Sequence, residues 1–588
     1  MVAISFVLVL ALVSSTVVAQ PGTNGCTGLF ARFKQWLTPA STESVYEWIP
    51  LDEETSTPTS DEDPVDIGLS YILQQLNIQP DEFTKRTNFT DRFGVTHLYG
   101  MPLHKGLFIE DLHAAAHIKN GQVFFYSATT VINDDHALTK RSPTISKSTI
   151  KISSKKAVKA AVDHFKIPLY RDIAPVKGSY STDDGDIPVW IFHLRDNPTT
   201  QWIEVKVNAI TGAIVSKKDV KRDFTYTAIE LPNKSPNDGF STIVNPENLQ
   251  ASPNGWTDGF ELKGNNVLVN YKKRTTFKTT TRGVFNGGFD PTLPPQIPGN
   301  LVAGAINAFY VANTAHDVFY EYGFTEPAGN FQQDNFGRGG IGGDPVIINV
   351  QSSKRENSAS FDPLPDGRSG MLNLHIFTAT NPNRDPALDN TIIVHELTHG
   401  LTARLTGGAQ TKFCISKIES EGLDEGYSDM MALIFTAKPE DTRNTKKVIG
   451  EYAEGSSQGV RMYPYTTDMK VNPLKYQDAV GEKDPYHLGE IWASLLLEVY
   501  WNFVDEYGFS ANLHDATQTE GNIIFLQLFV GTLMIQPCEP TFESAYDAML
   551  AADYAYYGGI HEHLIRKGFF KRGLGSISQL DPTMDDAV

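Results

Sequence analysis

Two histidines separated by three residues, with a glutamate between them, occur at His395, Glu396 and His399. On a helix, positions i and i+4 lie on one face a turn apart, so both imidazoles can approach one tetrahedral Zn²⁺. The intervening glutamate can then accept a proton from the water that the metal activates. This spacing therefore predicts one hydrolytic zinc site per chain. The alternative is a solvated helix whose histidines make ordinary hydrogen bonds.

A catalytic zinc site needs a third protein ligand. A further histidine at position 405 would define the metzincin spacing, but Leu405 stands there. We instead expect the ligand from the next predicted helix, where Glu425 and Asp429 lie one turn apart. One of these acids can ligate the metal while the other accepts a hydrogen bond from a ligand histidine and fixes its tautomer. The alternative is that both acids only stabilise the helix N-terminus.

The elements that carry these residues are predicted from the spacing of apolar side chains. Helical spacing occurs in four segments: 391–405, 422–436, 487–506 and 520–535. The preceding residues, 223–390, consist mainly of predicted strand and loop, with strands at Val346–Val350 and Met371–Phe377. A β-rich half followed by an α-rich half predicts two lobes with a cleft between them.

The residues before 223 contain no candidate catalytic cluster. Residues 3–19 are apolar or small and end in Val-Val-Ala, which predicts a signal peptide over 1–19 and a secreted protein. The alternative is an uncleaved membrane anchor, for which the run is short. No other segment is apolar and long enough to cross a bilayer, so we expect no stable membrane association.

Small α+β modules are predicted between the signal peptide and residue 222. The pair Asn120-Gly121 between two apolar runs indicates a hairpin, and 153–166 has helical apolar spacing. The basic pair Lys221-Arg222 is typical of a processing site in an exposed linker, although such pairs also occur by chance.

The composition excludes some partners. The chain has 50 Lys and Arg against 69 Asp and Glu, a formal net charge of −19. This balance argues against a nucleic-acid partner, which a basic face would bind. Three cysteines, Cys26, Cys414 and Cys538, allow one bridge, whose partners the spacing does not assign. Asn88 and Asn233 begin N-glycosylation sequons.

The segment 392–429, IIVHELTHGLTARLTGGAQTKFCISKIESEGLDEGYSD, closely resembles the fungalysin family of secreted fungal zinc metalloproteases, relatives of thermolysin. Six further segments look like fungalysin segments in the expected order: 323–335, 363–368, 459–466, 486–493, 534–539 and 567–575. Residues 92–130 and 150–220 resemble the two modules of that family's propeptide. The likeness covers most of the chain after about residue 70.

The resemblance implies an α+β fold with a thermolysin-like catalytic domain over 223–588. That domain would have a β-rich N-terminal lobe, an α-helical C-terminal lobe and zinc at the base of the cleft. The resemblance also implies that residues 20–222, after the signal peptide 1–19, are a propeptide that assists folding. This propeptide would block the site as an intramolecular inhibitor until it is removed.

By the same resemblance, His395, His399 and Glu425 fall on the family's metal ligands. Glu396 falls on the catalytic glutamate. Asp429 falls on the carboxylate that lies behind a ligand. These implied roles agree with the roles that the spacing suggests.

Three further site residues come from the resemblance alone. His487, in the segment YHLGE, falls where the family places a histidine that donates a hydrogen bond to the developing oxyanion. Arg461 is expected either to hold substrate or to orient the site. Ala359 lies in the segment 357–361, which resembles an exposed edge strand to which a peptide could add. The alternative for that segment is a simple surface loop.

The chain also departs from the family pattern. Asp424 stands where relatives commonly have glycine, and Tyr427 replaces a usual tryptophan. Several cysteines common in relatives are absent, so Cys414 and Cys538 either lack partners or pair together. These differences remove no ligand, but they leave the bridge and the pH optimum open.

Together these observations predict a secreted zinc endopeptidase, made as an inactive precursor, that hydrolyses internal bonds of proteins and peptides. One alternative is an inactive pseudoprotease that binds peptides. Another is a zinc aminopeptidase, although no acidic motif for a free N-terminus is recognisable. Calcium is compatible with this interpretation, but the sequence assigns no ligands to it.

Overall fold

The fold is described from a computed structural model. The described residues are 42–49, 51, 63–104, 107–108, 112–131, 151–169, 175–182, 185–195, 202–219, 224–272, 275–353, 355–411 and 414–575. All of them belong to one unit of the chain, Thr42–Val588. The predicted signal peptide, Cys26 and the pair Lys221-Arg222 lie outside them.

Strands predominate in the first part of the described chain and helices in the last part. The strands are β1 Thr42–Trp48, β2 Phe83–Thr90, β3 Thr96–His104, β4 Leu107–Phe108, β5 Ala114–Lys119, β6 Gln122–Val131, β7 Val176–Thr182, β8 Gly185–Arg195, β9 Trp202–Asn208, β10 Ile214–Asp219, β11 Thr225–Ala228, β12 Ser241–Val244, β13 Val267–Tyr271, β14 Thr275–Thr276, β15 Val284–Phe285, β16 Val346–Val350, β17 Ala359–Asp362 and β18 Met371–Leu374. The α-helices are α1 Pro64–Leu76, α2 Ser154–Phe165, α3 Pro298–Glu321, α4 Asn390–Leu405, α5 Ile418–Phe435, α6 Glu451–Glu454, α7 Pro485–Tyr507, α8 Gly521–Ile535, α9 Phe542–Tyr557 and α10 Glu562–Lys571. The described chain is therefore mixed α+β.

Helix α1 packs on a sheet of order β1-β6-β5-β3-β2, with β4 paired to β3. The predicted hairpin is confirmed, because β5 and β6 pair across Asn120 and Gly121, whose φ angles are 51° and 78°. Two positive φ angles are what a tight hairpin turn needs, and Asn-Gly supplies them at low cost. Val95, Phe124 and Phe125 of this first module join the core of residues 224–575.

A second module consists of α2 packed on a sheet of order β10-β9-β8-β7. The predicted helix over 153–166 is confirmed as α2. Its small residues Ala157 and Ala161 are buried against Phe192 and Val205, which allows the helix to lie close to the sheet.

The strand-rich part after residue 223 contains two sheets, β12-β11-β15 and β14-β13-β16-β18-β17. The strand predicted at Val346–Val350 is confirmed, whereas the one predicted over Met371–Phe377 ends at Leu374. β17 lies at the end of its sheet, so one of its edges is free of strand partners among the described residues.

The prediction of strand and loop for 223–390 is wrong at α3, which runs from Pro298 to Glu321. Every residue of this helix from Ala303 to Ala315 is buried. A helix enclosed on all sides has no polar face, and its sequence therefore lacks the alternation that marks an amphipathic helix.

Helix α5 packs closely against both α4 and α7, and these three helices form the helix-rich part with α8, α9 and α10. The four predicted helical segments correspond to α4, α5, α7 and α8, with ends that differ by up to a turn. The structure pairs Cys414, between α4 and α5, with Cys538, after α8. In the described part of the chain, no helix is long and apolar enough to cross a bilayer.

Candidate active site

Helix α4 carries three of the predicted site residues, and its start is held firmly. The buried carboxylate of Asp389 accepts a hydrogen bond from the N–H of Thr391 through Oδ1, which caps the helix. Its other oxygen accepts bonds from the N–H groups of Tyr452 and Ala453. The cap therefore ties the start of α4 to α6 and fixes where the following turns place their side chains.

Helix α5 carries Glu425 and Asp429 and approaches α7 through glycines. A Cβ at Gly426 would lie 2.7 Å from the carbonyl oxygen of Gly489, and a Cβ at Gly489 would lie 2.5 Å from Cβ of Glu425. No side chain fits in this contact. The two glycines therefore allow α7 to press α5, and with it Glu425, towards α4.

We predict that Gly489→Ala displaces Glu425. Overpacking of this kind costs about 1–3 kcal/mol in stability, and a shifted carboxylate would lower zinc affinity by about tenfold or more. Thermal unfolding and competition of the protein with a zinc chelator would measure the two effects. The control is Gly288→Ala, where a Cβ meets nothing within 4 Å. Wild-type affinity and stability in Gly489→Ala would contradict this role of the helix contact.

The predicted ligands meet at one point. His395 Nε2 lies 3.2 Å from His399 Nε2 and 3.3 Å from Glu425 Oε2, and His399 Nε2 lies 3.8 Å from Glu425 Oε1. Their ligand atoms all lie within 4.8 Å of one another. Ligands about 2.1 Å from a tetrahedral zinc would be about 3.4 Å apart, so two nitrogens and a carboxylate with these separations fit that ion.

Each histidine has a carboxylate within hydrogen-bonding distance of its other ring nitrogen. His395 Nδ1 lies 2.7 Å from Asp429 Oδ1, as predicted for the acid one turn after Glu425. His399 Nδ1 lies 2.7 Å from Asp424 Oδ2. When Nδ1–H donates to a carboxylate, the lone pair is on Nε2. Both Nε2 atoms are thereby directed at Glu425.

Arg461 is held by the acids of the site. Its Nε and Nη2 donate to Asp429 at 2.7 and 2.9 Å, and Nη2 donates to Glu425 at 3.1 Å. The Tyr465 hydroxyl also donates to Asp429. Of the two roles expected for Arg461, these contacts favour orientation of the site over direct binding of substrate.

The carboxylates of the site stabilise positive charge on its histidines. Burial lowers the pKa of His395, but hydrogen bonds and charges from Asp429 and Glu425 outweigh it and raise that pKa to about 10. Burial likewise lowers the pKa of His399, yet Asp424 and Glu425 raise it to about 9. Burial raises the pKa of Glu425, but the two histidines dominate and lower it to about 2. The carboxylates of Asp424, Glu425 and Asp429 thus place negative charge around the two histidines, which suits a divalent cation.

The predicted ligands line an open cleft of about 690 Å³. Four other predicted residues line the same cleft: Ala359, Glu396, Arg461 and His487. Glu396 Oε2 and His487 Nε2 are buried and have no hydrogen-bond partner in the described part of the structure. Burial of Glu396 raises its pKa. Since buried polar atoms are nearly always paired, two unpaired atoms in one cleft indicate a place for a ligand.

His487 is oriented by a neighbouring acid, because its Nδ1 lies 2.8 Å from Glu482 Oε2. In the imidazolium form both ring nitrogens donate. His487 can therefore hold Glu482 with one nitrogen and offer the other, Nε2, to a negatively charged oxygen in the cleft.

The segment around Ala359 is a strand, so the surface-loop alternative is wrong. Residues 359–362 form β17, which pairs with β18 on one side only. Ser358, Ala359, Ser360 and Phe361 line the cleft. A free strand edge beside the site can form main-chain hydrogen bonds with an extended peptide.

Residues 225–578 match the family model described as fungalysin metallopeptidase (M36). The chain belongs to the fungalysin family. This finding confirms the family resemblance of the sequence.

Curated fungalysin relatives align with much of the chain. Extracellular metalloproteinase 1 of Trichophyton equinum is 37% identical over 407 residues, which cover 66% of this chain and 65% of that protein. The extracellular metalloproteinase MEP of Neosartorya fischeri is 31% identical over 538 residues, which cover 83% of this chain and 82% of that protein. The chain thus spans a little less than two thirds of the Trichophyton protein.

Two contacts in this fungalysin site were not predicted from the sequence. The sequence shows that Asp424 departs from the family pattern, but it does not show that this side chain contacts His399. Tyr465 donates to Asp429 across 36 positions of the chain, and no spacing or motif indicates that contact. Both depend on how separate elements pack.

Proposed function

We propose that this fungalysin is a secreted zinc endopeptidase that hydrolyses internal peptide bonds of proteins and peptides. The observation that carries the proposal is the convergence of His395, His399 and Glu425 next to Glu396, whose Oε2 has no hydrogen-bond partner among the described residues. The names of the relatives, extracellular metalloproteinases, support both the metal and the place of action.

His395 Nε2, His399 Nε2 and a carboxylate oxygen of Glu425 would hold the zinc ion. A bound zinc ion would polarise the scissile carbonyl and lower the pKa of a water molecule, so that this water loses a proton readily as it attacks. Glu396 accepts the proton of the attacking water on its carboxylate and passes it to the nitrogen of the leaving amine. Burial raises the pKa of Glu396, which favours acceptance of the proton because a carboxylate with a higher pKa is a stronger base.

The remaining residues bind and orient the substrate. His487 donates from Nε2 to the oxygen that becomes negative as the carbonyl is attacked. The free edge of β17, including Ala359, receives the peptide as an extra strand. Main-chain hydrogen bonds of this kind tolerate many side chains, so we expect broad cleavage specificity.

The proposal includes the processing of the chain. Residues 1–19 act as signal peptide, 20–222 as propeptide and 223–588 as a thermolysin-like catalytic domain with the cleft between its strand-rich and helix-rich lobes. Packing of Val95, Phe124 and Phe125 into the core of residues 224–575 supports a folding role for the propeptide. Its inhibitory role rests on the family resemblance.

Secreted protein tests the function directly. We expect one zinc ion per chain, an N-terminus close to residue 223 and cleavage of casein at internal bonds. Removal of zinc with a chelator should abolish cleavage, and added Zn²⁺ should restore it. Zinc quantification, N-terminal sequencing and mass spectrometry of the products measure these outcomes.

The same experiment separates the alternatives. A pseudoprotease would bind zinc or peptide without cleaving casein. An aminopeptidase would release single residues from peptide N-termini. Cleavage that is unaffected by removal of zinc would refute the proposed function.

A further inference from the structure

The Nδ1 atom of the ligand His399 faces a carboxylate to which the sequence assigns no role. Asp424 Oδ2 lies 2.7 Å from this nitrogen. The other oxygen of Asp424 accepts a hydrogen bond from the hydroxyl of Thr402, on the turn of α4 that follows His399. Contacts on both oxygens hold the carboxylate in one orientation. Ser428 Oγ also approaches His399 Nδ1, but at 3.2 Å.

The charge of Asp424 is directed at His399. The side chain is only 17% exposed, and no lysine or arginine pairs with it among the described residues. Asp429 differs, because Arg461 forms a salt bridge to it at 2.7 Å. The negative charge behind His395 is therefore partly neutralised, whereas the charge behind His399 is not.

A role in stabilising helix α5 does not account for this placement. The helix begins at Ile418, and Asp424 lies in its second turn. The attraction between an acidic side chain and a helix N-terminus falls off within the first turn. Asp424 also lies directly beside Glu425 and lines the cleft that holds the ligands.

We propose that Asp424 is a positioning residue for the zinc ligand His399. Its carboxylate accepts the Nδ1–H of the imidazole, keeps the Nε2 lone pair directed towards Glu425, and adds negative charge behind the metal. Each histidine ligand of this chain would then have its own carboxylate, Asp429 for His395 and Asp424 for His399. The inference rests on the proposed function, since it concerns zinc binding at His399.

The test measures zinc binding by the full-length chain, independently of proteolysis. Zn²⁺ affinity is determined by competition with a chromogenic chelator for the wild type, Asp424→Ala and Asp424→Asn. Partners at this distance from a metal typically contribute 10–100-fold to affinity, so we expect a loss of that size in Asp424→Ala. Asp424→Asn should recover part of this loss, because the amide oxygen still accepts the Nδ1–H although the negative charge is absent. In Asp424→Ala the hydroxyl of Ser428 would remain as a weaker acceptor for the Nδ1–H of His399.

Cobalt substitution provides a second signal. The visible absorption of Co²⁺ depends on ligand orientation, so Asp424→Ala should alter the spectrum while Asp424→Asn resembles the wild type. A purely structural role would instead lower the melting temperature of the metal-free protein in Asp424→Ala and leave both zinc affinity and the cobalt spectrum unchanged.

The matched control is Glu421→Gln. Glu421 is exposed, lies one turn before Glu425 on the same helix and interacts electrostatically with Asp424 and Glu425. Exposed charges are strongly screened by solvent, so its removal should leave zinc affinity within about twofold of the wild type. If Glu421→Gln and Asp424→Ala lost zinc affinity equally, the overall negative charge near the site would explain the effect. The positioning role of Asp424 would then be overturned.

The outcomes distinguish the two proposals. If the wild type does not bind zinc, or cleaves casein without it, the proposed function fails. If the wild type behaves as a zinc protease and Asp424→Ala binds zinc with wild-type affinity, only the role of Asp424 fails.

Discussion

Replacement of Glu396 by glutamine is expected to lower kcat by about 10²–10⁴-fold, the usual contribution of a general base. Glutamine keeps the size of the side chain but cannot accept a proton. The proposed metal ligands His395, His399 and Glu425 remain, so Glu396→Gln should still bind one zinc ion. Casein cleavage by the purified protein and zinc quantification of the same sample measure both effects.

Two controls define this experiment. His395→Ala should lose zinc and activity together, because it removes a ligand. Glu454→Gln removes a carboxylate that also lines the cleft but does not belong to the cluster of His395, His399 and Glu425 found among the described residues, and it should keep most of the activity. Full activity in Glu396→Gln would show that another group accepts the proton.

The second large effect is a loss of stability at acidic pH. It is expected where the first module packs on the helix-rich part of the chain. His113 Nε2 donates to the carbonyl oxygen of Gly407 at 2.8 Å, while His113 Nδ1 is buried without a hydrogen-bond partner in the described structure. Burial lowers the pKa of His113 from 6.5 to about 4. Protonation would place a charge on Nδ1 with no acceptor beside it.

His117 adds to this effect. Its Nδ1 lies 2.9 Å from His97 Nδ1, so one of the two must be unprotonated, and its Nε2 has no partner among the described residues. Burial lowers the pKa of His117, and the charges of His97 and His113 lower it further. The carboxylate of Asp91 contacts His97, and no acid pairs with His117 among the described residues.

The direction of the pH effect follows from these lowered pKa values. The pKa of His113 is lower in the folded state than in the unfolded state, so the folded state binds a proton less readily. The folded state therefore has its full stability above pH 6.5 and loses stability as the pH falls towards 4. For His113 the loss amounts to roughly 3 kcal/mol. Acidification should therefore loosen the packing of residues 42–131 on the rest of the chain. If these residues belong to the propeptide, acid would favour its release.

Urea unfolding of the full-length chain at several pH values between 7.5 and 4 tests this prediction. His113→Gln is the matched variant, because glutamine can still donate to the carbonyl of Gly407 and does not titrate in this range. The wild type should lose about 3 kcal/mol more than His113→Gln on acidification. Parallel loss of stability in the two proteins would exclude His113 as the cause.

The local parts of the site could be predicted from the sequence. The spacing of His395 and His399 places two imidazoles on one helix face, and Glu425 and Asp429 repeat that spacing on the next helix. The predicted hairpin at Asn120-Gly121 also forms. In each case neighbours along the chain determine the geometry, because helix and turn periodicity fix which side chains share a face.

The tertiary structure decided the contacts between distant elements. Asp424 reaches His399 only because α4 and α5 pack closely, and Arg461 joins Asp429 from a separate loop. Helix α3 escaped prediction because burial on all sides removes the polar face on which periodicity depends. The pairing of Cys414 with Cys538 likewise requires α8 to return beside the segment after α4. Sequence spacing therefore determined which groups could bind a metal, while packing determined which other groups orient them.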